Sequence, residues 1–449
     1  MAGLPPVSKE QAVLESYFLS LSKFAFDKAK DIAEREKDNQ KTQPVTLAWS
    51  HMLSCLVSLA MAEKAYASLL YLGQNLGHKL FGRKDSLKTS YGCVLADLRR
   101  IETMTLTVAD SVNPNIAPSD GDLLDELFGH LCGQLCHFVM ARSKVMEFYE
   151  HIMSVVGHSH TVAYQQLLDA INDITETHQK GFHHPILSPI KSSFNLECDI
   201  MRHLLMAQLY LQHWQFLPSL LQLNDAHSKL TSLSGVAGVK EGKKLGFVSS
   251  SKSLSLPALY QWHTKYKRLL VSKFSLYFYD VLSRQAPRSE MKHLVSKASV
   301  DFFGKIGTFQ KKADACNVSI VFNVTGMEHM YKGAGYHHPK SYTEPPQGLD
   351  SFPAIFSYPT EREERHWPSV VSILTDRDDE LSTQEKVYFS DESLQCTYFL
   401  TRVEPRMTLV VIFEQKKSER DSFVNNFLTD MCVHLRCTKL LTSLKPGLK

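Results

Sequence analysis

The chain has 449 residues, a length that favours two or three domains, and its 43% hydrophobic and 22% charged residues are typical of a folded protein. Lysine and arginine total 50 while aspartate and glutamate total 47, so the formal net charge is only +3. Because a nucleic-acid-binding surface needs a sustained basic face, this balance argues against nucleic acid as a partner.

The nine cysteines are an odd number, and no C-x-x-C motif occurs among them. This pattern predicts free thiols in a reducing compartment rather than a disulfide framework. Residues 1–6 contain no basic region followed by an apolar core, so we expect no secretory signal peptide. Together these features predict a cytoplasmic protein.

The first half of the chain shows the apolar periodicity of long amphipathic helices. The predicted helices span about 14–35, 44–81, 85–111, 122–157, 160–179 and 191–230, the last one bent at Pro218. Two stretches without formal charge, Thr42 to Ala62 and His203 to Asn224, have polar residues at positions that fit buried bundle helices better than membrane spans. We therefore predict an antiparallel helical bundle over residues 1–231.

The composition changes at residues 232–256. Serine and glycine fill 11 of these 25 positions, and four lysines against one glutamate give the segment a charge of +3. Such a composition buries too little apolar surface to offset the entropy of ordering, which predicts a flexible linker.

Residues 257–449 mix helical and strand patterns. Leu256 to Leu282 predicts a helix, although alternating apolar residues from Phe274 leave a strand possible. Further helices are predicted from Met291 to Ile306, from about Pro368, and after a capping Ser418.

Five strands are predicted in the same region, at about 318–324, 354–358, 387–389, 396–403 and 408–413. Glu404-Pro405-Arg406 is expected to join the last two as a hairpin. The order α-β-β-α-β-β-β-α resembles that of roadblock and longin domains, which pair with each other and with small GTPases. The predicted class is therefore α plus α/β (α+β), with a helical bundle followed by a roadblock/longin-like α-β-α domain over 257–449.

One group of possible metal ligands lies on the fourth predicted helix. Cys132 and Cys136 are one helical turn apart, flanked by His130 and His137, and could face one zinc ion. Their neighbours are apolar, so we predict that the cysteines fill the core and hold no metal.

The motif G-[FY]-H-H-P occurs twice, at Gly181–Pro185 and Gly335–Pro339. No acidic or cysteine residue stands at ligand spacing from either, so we predict ends of elements rather than metal or catalytic sites. An acidic cluster at Asp376, Asp378, Asp379 and Glu380 lacks the glycine and distal glutamate of a calcium loop. The sequence thus predicts no catalytic, cofactor-binding or metal residues.

A basic and aromatic patch follows the predicted linker and consists of Trp262, Lys265, Tyr266, Lys267, Arg268 and Lys273. Such a patch could touch anionic lipid. The favoured interpretation is a helix face whose long basic side chains extend to solvent.

Three stretches of the sequence match a known family. Glu15–Lys28, His184–Glu197 and Val318–Pro339 resemble the KICSTOR complex subunit 2 family, and the resemblance covers essentially the whole chain. These stretches carry no chemical mechanism, and the family brings no catalytic or cofactor residues.

The resemblance implies a scaffold in nutrient signalling. Its expected partners are kaptin, an integrin-alpha FG-GAP repeat protein, the seizure-threshold protein and the GATOR complex, with Rag GTPases reached indirectly. The expected place is the lysosomal membrane surface, with indirect membrane association, and the expected effect is to hold mTOR complex signalling down when amino acids are scarce. Self-association is also possible for such a subunit.

Two alternatives remain open at the level of sequence. The C-terminal half could bind a small GTPase and act directly on nucleotide exchange. The chain could also be a zinc or thiol enzyme built on Cys132, Cys136 and the histidine pairs.

Overall fold

A computed structural model describes most of the chain. The described residues are 8–39, 46–73, 86–109, 120–158, 162–178, 180–236, 256–296, 298–327, 331, 333, 335–338, 342, 344–359, 363–383 and 386–444. Within these residues the structure contains sixteen α-helices and five β-strands.

The first half is entirely helical where it is described. Its helices are α1 (Lys9–Ser22), α2 (Phe26–Asn39), α3 (Leu47–Ala67), α4 (Leu87–Ala109), α5 (Asp120–His158), α6 (Tyr164–His178), α7 (Ser188–Gln212) and α8 (Phe216–Val236). Helices that follow one another along the chain pack together from α1 to α8. The side chains of Ser8 and Thr46 cap α1 and α3 by accepting hydrogen bonds from backbone N–H groups of their first turns.

Two predicted helices are each divided in the structure. The segment predicted as 14–35 breaks between α1 and α2, where Phe24 has φ 61°. The segment predicted as 191–230 breaks at Trp214, which has φ 52°. The predicted bend at Pro218 is therefore wrong, because this proline is the third residue of α8, where a backbone N–H needs no helical partner. The predicted helix 44–81 ends at Ala67.

Both breaks place an aromatic residue against the helix that follows residue 256. The ring of Phe24 lies 4.7 Å from the ring of Tyr260, and the indole N–H of Trp214 donates to the carbonyl of Tyr277 at 2.9 Å. Apolar periodicity continues through each break, which is why the sequence alone predicts unbroken helices.

The second half begins with four helices and continues into the sheet. The helices are α9 (Ala258–Tyr277), α10 (Tyr279–Gln285), α11 (Arg288–Ser296) and α12 (Phe302–Ala313). The predicted helix from Met291 to Ile306 is thus two helices, because Asp301 caps α12 by accepting from the backbone of Gly304. The strand alternative near Phe274 is wrong, since that residue lies within α9.

The strands are β1 (Asn317–Phe322), β2 (Ala354–Tyr358), β3 (Val387–Asp391), β4 (Cys396–Glu404) and β5 (Met407–Phe413). Helices α13 (Trp367–Asp376) and α14 (Asp378–Ser382) precede β3, and α15 (Ser422–Leu435) and α16 (Thr438–Thr442) follow β5. Asp421 caps α15 through its Oδ1, so the predicted cap at Ser418 is wrong.

The five strands form one antiparallel sheet in the order β2-β1-β5-β4-β3. All five predicted strands are present, and Glu404 pairs with Met407 across the predicted hairpin. The α+β class is therefore confirmed. The likeness to roadblock and longin domains stays a prediction.

The two faces of the sheet belong to different parts of the core. On one face, side chains such as Ile320, Leu409 and Val411 join a hydrophobic core that continues through α9 into the helical bundle. On the other face, Val410 and Ile412 pack with residues of α13 in a separate, smaller core. Strands β4 and β5 are buried at every position, and β5 reads as an almost continuous apolar run.

Helix α9 connects the bundle with the sheet. It packs against α3, α7 and α8 on one side and against α12 and β2 on the other. Of the linker predicted at 232–256, the first five residues complete α8, and residues 237–255 lie outside the described residues. The division of the chain into two domains stays a prediction.

The uncharged stretches at 42–62 and 203–224 form parts of α3, α7 and α8 where they are described. Across the described ranges, no helix combines the length and the apolar character that a membrane crossing requires.

Candidate functional site

The first notable cluster is ionic and lies inside the bundle. Arg142 of α5 donates to Glu197 of α7 at 2.7 Å and to Glu63 of α3 at 3.1 Å, and all three side chains are buried. Tyr66 and Tyr91 donate to the two carboxylates at 2.5 Å and 2.7 Å. One cation and several hydroxyl groups therefore hold α3, α4, α5 and α7 together.

Burial dominates the electrostatics of this cluster. It raises the pKa of Glu63, although Arg142 and Tyr91 oppose the shift. Burial also lowers the pKa of His263, on α9, to about 4, and the Nε2 of this histidine lies 2.9 Å from the hydroxyl of Tyr149. Neutral His263 thus links α9 to the same cluster, because that hydroxyl also approaches Glu197.

The second cluster lies where the bundle meets the sheet. Lys273 of α9 forms a fully buried ion pair with Glu404, the last residue of β4. The amide groups of Gln208 and Gln212, both on α7, donate to the carboxylate of Glu404 at 3.1 Å and 2.7 Å. The ammonium group also donates to the carbonyl of Leu435 at the end of α15. We call these residues the bundle–sheet junction.

This junction corrects the interpretation of the basic and aromatic patch. Lys273 does not extend to solvent but is wholly buried, as is Tyr266, and the indole of Trp262 donates to the carbonyl of Leu440. Only Lys265 and Arg268 remain exposed. The patch therefore divides into a buried side that anchors α9, the half-buried Lys267, whose Nζ lies 3.1 Å from Nδ1 of His227, and two exposed cations. A sequence window cannot distinguish these roles, since helical periodicity shows a face but not its neighbours.

The cysteines predicted to fill the core lie there. Cys132 is fully buried and Cys136 nearly so, with the Sγ of Cys132 4.0 Å from the Sδ of Met52. Burial raises the pKa of Cys136 to about 11 and the pKa of Cys132 further still. Thiols with such pKa values are protonated at neutral pH, which makes them poor nucleophiles.

The first histidine pair has structural partners. The backbone N–H groups of His183 and His184 both donate to the Oε1 of Gln134, at 2.7 Å and 2.6 Å. The Nδ1 of His184 accepts from the backbone of Ile186 and caps a short 3-10 turn at Pro185–Leu187. This pair therefore fixes the entry into α7.

The second motif is described only through His338. Gly333 and Gly335 have positive φ values of 89° and 85°, a conformation that glycine adopts without strain. Of the motif itself, Pro339 lies outside the described residues.

The acidic cluster is divided between two helix ends. Asp376 accepts from the hydroxyl of Ser372, and Asp378 pairs with Arg402. Glu380 pairs with Arg377, the residue between α13 and α14. Because these carboxylates have separate partners, they do not converge on a common point as calcium ligands would.

One group of possible metal ligands was not picked out from the sequence. In the described part of the chain, Cys316, His366 and Glu414 are the residues that bring three ligand atoms within 4.8 Å of one another. Cys316 and His366 are 50 positions apart along the chain, and His366 and Glu414 are 48 apart. No local sequence motif therefore indicates this group.

Comparison with known proteins places the whole chain in one family. The family model described as "KICSTOR complex C12orf66 like" matches residues 2–449. KICSTOR subunit 2 of Danio rerio is 45% identical over 451 residues, which cover 99% of this chain and 98% of the relative. This chain belongs to the KICSTOR subunit 2 family.

A second member of the KICSTOR subunit 2 family is matched over its full length. The protein of Xenopus laevis is 43% identical over 454 residues, covering 99% of this chain and all of the relative. The family resemblance inferred from the sequence is confirmed. The bundle cluster and the bundle–sheet junction both lie within the region that the family model matches.

Proposed function

We propose that this chain is a non-enzymatic scaffold subunit of the KICSTOR complex. In this role it binds kaptin, the integrin-alpha FG-GAP repeat protein or the seizure-threshold protein, and helps to recruit the GATOR complex to the lysosomal surface. GATOR acts there on Rag GTPases, and mTOR complex signalling falls when amino acids are scarce. The observation that carries the proposal is the match over 98–100% of two KICSTOR subunit 2 relatives.

The two buried clusters support a scaffold. The bundle and the sheet share a continuous core, and the bundle–sheet junction adds a charged hydrogen-bond network at their contact. A charge pair in such a setting is unfavourable to separate, because each partner left alone would be a buried charge. This arrangement holds the bundle and the sheet in one orientation, and we propose that each of them presents a surface to a different partner.

The test is recovery of the complex from cells that lack the chain. Re-expression of the wild type should restore co-purification of the other KICSTOR subunits and of GATOR, and should restore GATOR at lysosomes during starvation. Lys273→Met should reduce this recovery, while Lys265→Met, an exposed lysine on the same helix, should not.

Two outcomes would contradict the proposal. One is normal recovery of GATOR at lysosomes in cells without the chain. The other is a failure of the re-expressed wild type to co-purify any KICSTOR subunit.

A second candidate function is direct binding of a small GTPase by the C-terminal half. The favouring observation is the antiparallel sheet with helices on both faces, whose edge strand β3 carries the exposed Phe389. Accelerated release of labelled GDP from Rag heterodimers by the purified chain would support it. No acceleration at excess protein would exclude direct action on exchange.

A further inference from the structure

Three side chains from different elements meet at one end of the sheet. Cys316 directly precedes β1, Glu414 directly follows β5, and His366 directly precedes α13. Since β1 and β5 are antiparallel neighbours, the start of one lies beside the end of the other, and the backbone N–H of Cys316 donates to the carbonyl of Ile412. The sheet topology therefore brings the cysteine and the glutamate together.

The imidazole of His366 is held in place by its two ring nitrogens. The ring is fully buried, its Nδ1 lies 2.9 Å from the hydroxyl of Tyr398, and its Nε2 lies 3.4 Å from Oε1 of Glu414. A histidine that ligates a metal usually has its second nitrogen hydrogen-bonded, which fixes the ring and its tautomer. Here Tyr398 occupies Nδ1, and Nε2 faces the carboxylate of Glu414.

We propose that Cys316, His366 and Glu414 form a zinc site. A thiolate, an imidazole and a carboxylate are the three ligand types that zinc takes in proteins, at about 2.0–2.3 Å from the metal. Ligands in a tetrahedral shell then lie roughly 3.3–3.8 Å from one another. The three ligand atoms lie within 4.8 Å of one another, so modest side-chain rotations complete the geometry.

The fourth position of a tetrahedral shell has no protein ligand among the described residues that belong to this group. Cys396 is the first residue of β4, whose neighbouring residue Thr397 pairs with Phe413 just before Glu414. The thiol of Cys396 donates to the carbonyl of Leu394 at 3.1 Å, so a water molecule would complete the tetrahedron. A calcium or magnesium ion is a poorer fit, because these metals take oxygen ligands.

Two features of the site oppose binding and are overcome by the metal. Burial raises the pKa of the Cys316 thiol to about 11, and a bound zinc ion would displace its proton. Arg365 lies 3.7 Å from Glu414, so the carboxylate must turn toward the metal and away from the guanidinium group. Glu414 is half-exposed, so its carboxylate borders solvent on one side and has room to rotate.

The experiment measures metal in the full chain. Protein purified from zinc-supplemented cells and passed through chelator-treated gel-filtration buffer should retain about one zinc per chain. Cobalt substitution should then give a thiolate-to-cobalt charge-transfer band, which reports the cysteine ligand directly.

Substitutions test which residues bind the zinc ion. Cys316→Ser should abolish the cobalt band and weaken zinc binding at least a hundredfold, while Glu414→Gln and Tyr398→Phe should weaken it about 10–100-fold. Cys93→Ser and Glu392→Gln change an exposed cysteine and an exposed glutamate elsewhere and should leave binding unchanged. Glu414→Gln alters a half-exposed side chain, so it tests the site even if Cys316→Ser fails to fold.

A zinc content below about one tenth per chain would overturn the proposal, as would equal zinc affinity in Cys316→Ser and Cys93→Ser. Loss of zinc only in Cys132→Ser or Cys136→Ser would place the metal on α5 and would overturn it too. None of these outcomes bears on the scaffold function, which requires no metal.

Discussion

The two buried ionic clusters use different side chains to neutralise and hydrogen-bond their buried charges. In the bundle cluster, Arg142 faces two carboxylates, and the excess acidic group is accommodated by tyrosine hydroxyls such as Tyr66 and Tyr91. In the bundle–sheet junction, Lys273 faces the single carboxylate of Glu404, and the amide groups of Gln208 and Gln212 donate to that carboxylate.

The difference concerns what each cluster joins. The ion pairs of the bundle cluster join helices within 135 residues, from position 63 to position 197, and α9 is added only through the hydrogen bond of neutral His263 to Tyr149. The junction connects α7, α9, β4 and α15, across the predicted linker. Polar groups buried at such a contact are satisfied only in the correct arrangement, so the junction specifies how the bundle sits on the sheet.

The largest expected effect comes from separating the two halves. Residues 1–236 and 256–449 made alone should be poorly soluble, because each would expose apolar surface of the shared core. Made together, they should co-purify as one species. A chain with a protease site between residues 237 and 255 should likewise remain one species on gel filtration after cleavage.

Separate elution of the two cleaved pieces at micromolar concentration would contradict this expectation. Two soluble, independent fragments would instead support the domain division at 231 and 257 predicted from the sequence.

Next in size is the loss of the cation from the bundle cluster. Arg142→Met leaves Glu63 and Glu197 buried without a positive charge and should lower the free energy of unfolding by about 3–5 kcal/mol. Denaturant unfolding measures the change. The exposed Lys144→Met on the same helix serves as control and should change stability by less than about 1 kcal/mol. Equal effects of the two substitutions would show that the cluster contributes no more than a surface pair.

A similar or somewhat smaller loss is expected at the junction, because only one carboxylate is left unpaired. Lys273→Met should destabilise by about 3 kcal/mol, with faster hydrogen exchange at the ends of β4 and α15 than in α3. The double variant Lys273→Met with Glu404→Leu should recover part of this loss, since no buried charge remains. A double variant as unstable as the sum of both single variants would argue against a coupled pair.

The last expected effect, no larger than the one at the junction, is the pH dependence contributed by His263. Its pKa is about 4 in the folded chain against 6.5 as the reference value, so the unfolded chain binds more protons between these values. The contribution of neutral His263 to the free energy of unfolding is fully present above pH 6.5. It is lost as the pH falls toward 4, and the loss is on the order of 3 kcal/mol. Unfolding curves of the wild type and His263→Phe between pH 7 and 4 should converge as the pH falls.

The exposed His213→Gln should leave that pH dependence unchanged. If the wild type and His263→Phe lose stability in parallel, His263 does not titrate in this range.

Much of the secondary structure follows from the sequence by local rules. The alternation at Val318, Ile320 and Phe322 places β1, and Glu404-Pro405-Arg406 places the turn before β5. The buried cysteines on α5 follow from their apolar neighbours. These inferences hold because period and turn chemistry act within a few residues.

The breaks at Phe24 and Trp214 could not be predicted in this way. Each residue adopts a positive φ, and its aromatic ring or indole N–H contacts α9, whose sequence lies more than 40 residues further on. Tertiary contacts, not local propensity, select these conformations.

What the sequence by itself determined is therefore the α+β class, the positions of the five strands and membership of the KICSTOR subunit 2 family. Only the tertiary structure decided that Lys273 is a buried anchor rather than a solvent-facing cation, and that Cys316, His366 and Glu414 meet. The physical reason is the distance along the chain over which each signal acts. A periodicity describes one face of one element. A buried charge or a set of metal ligands depends on partners that the fold brings together from distant parts of the chain.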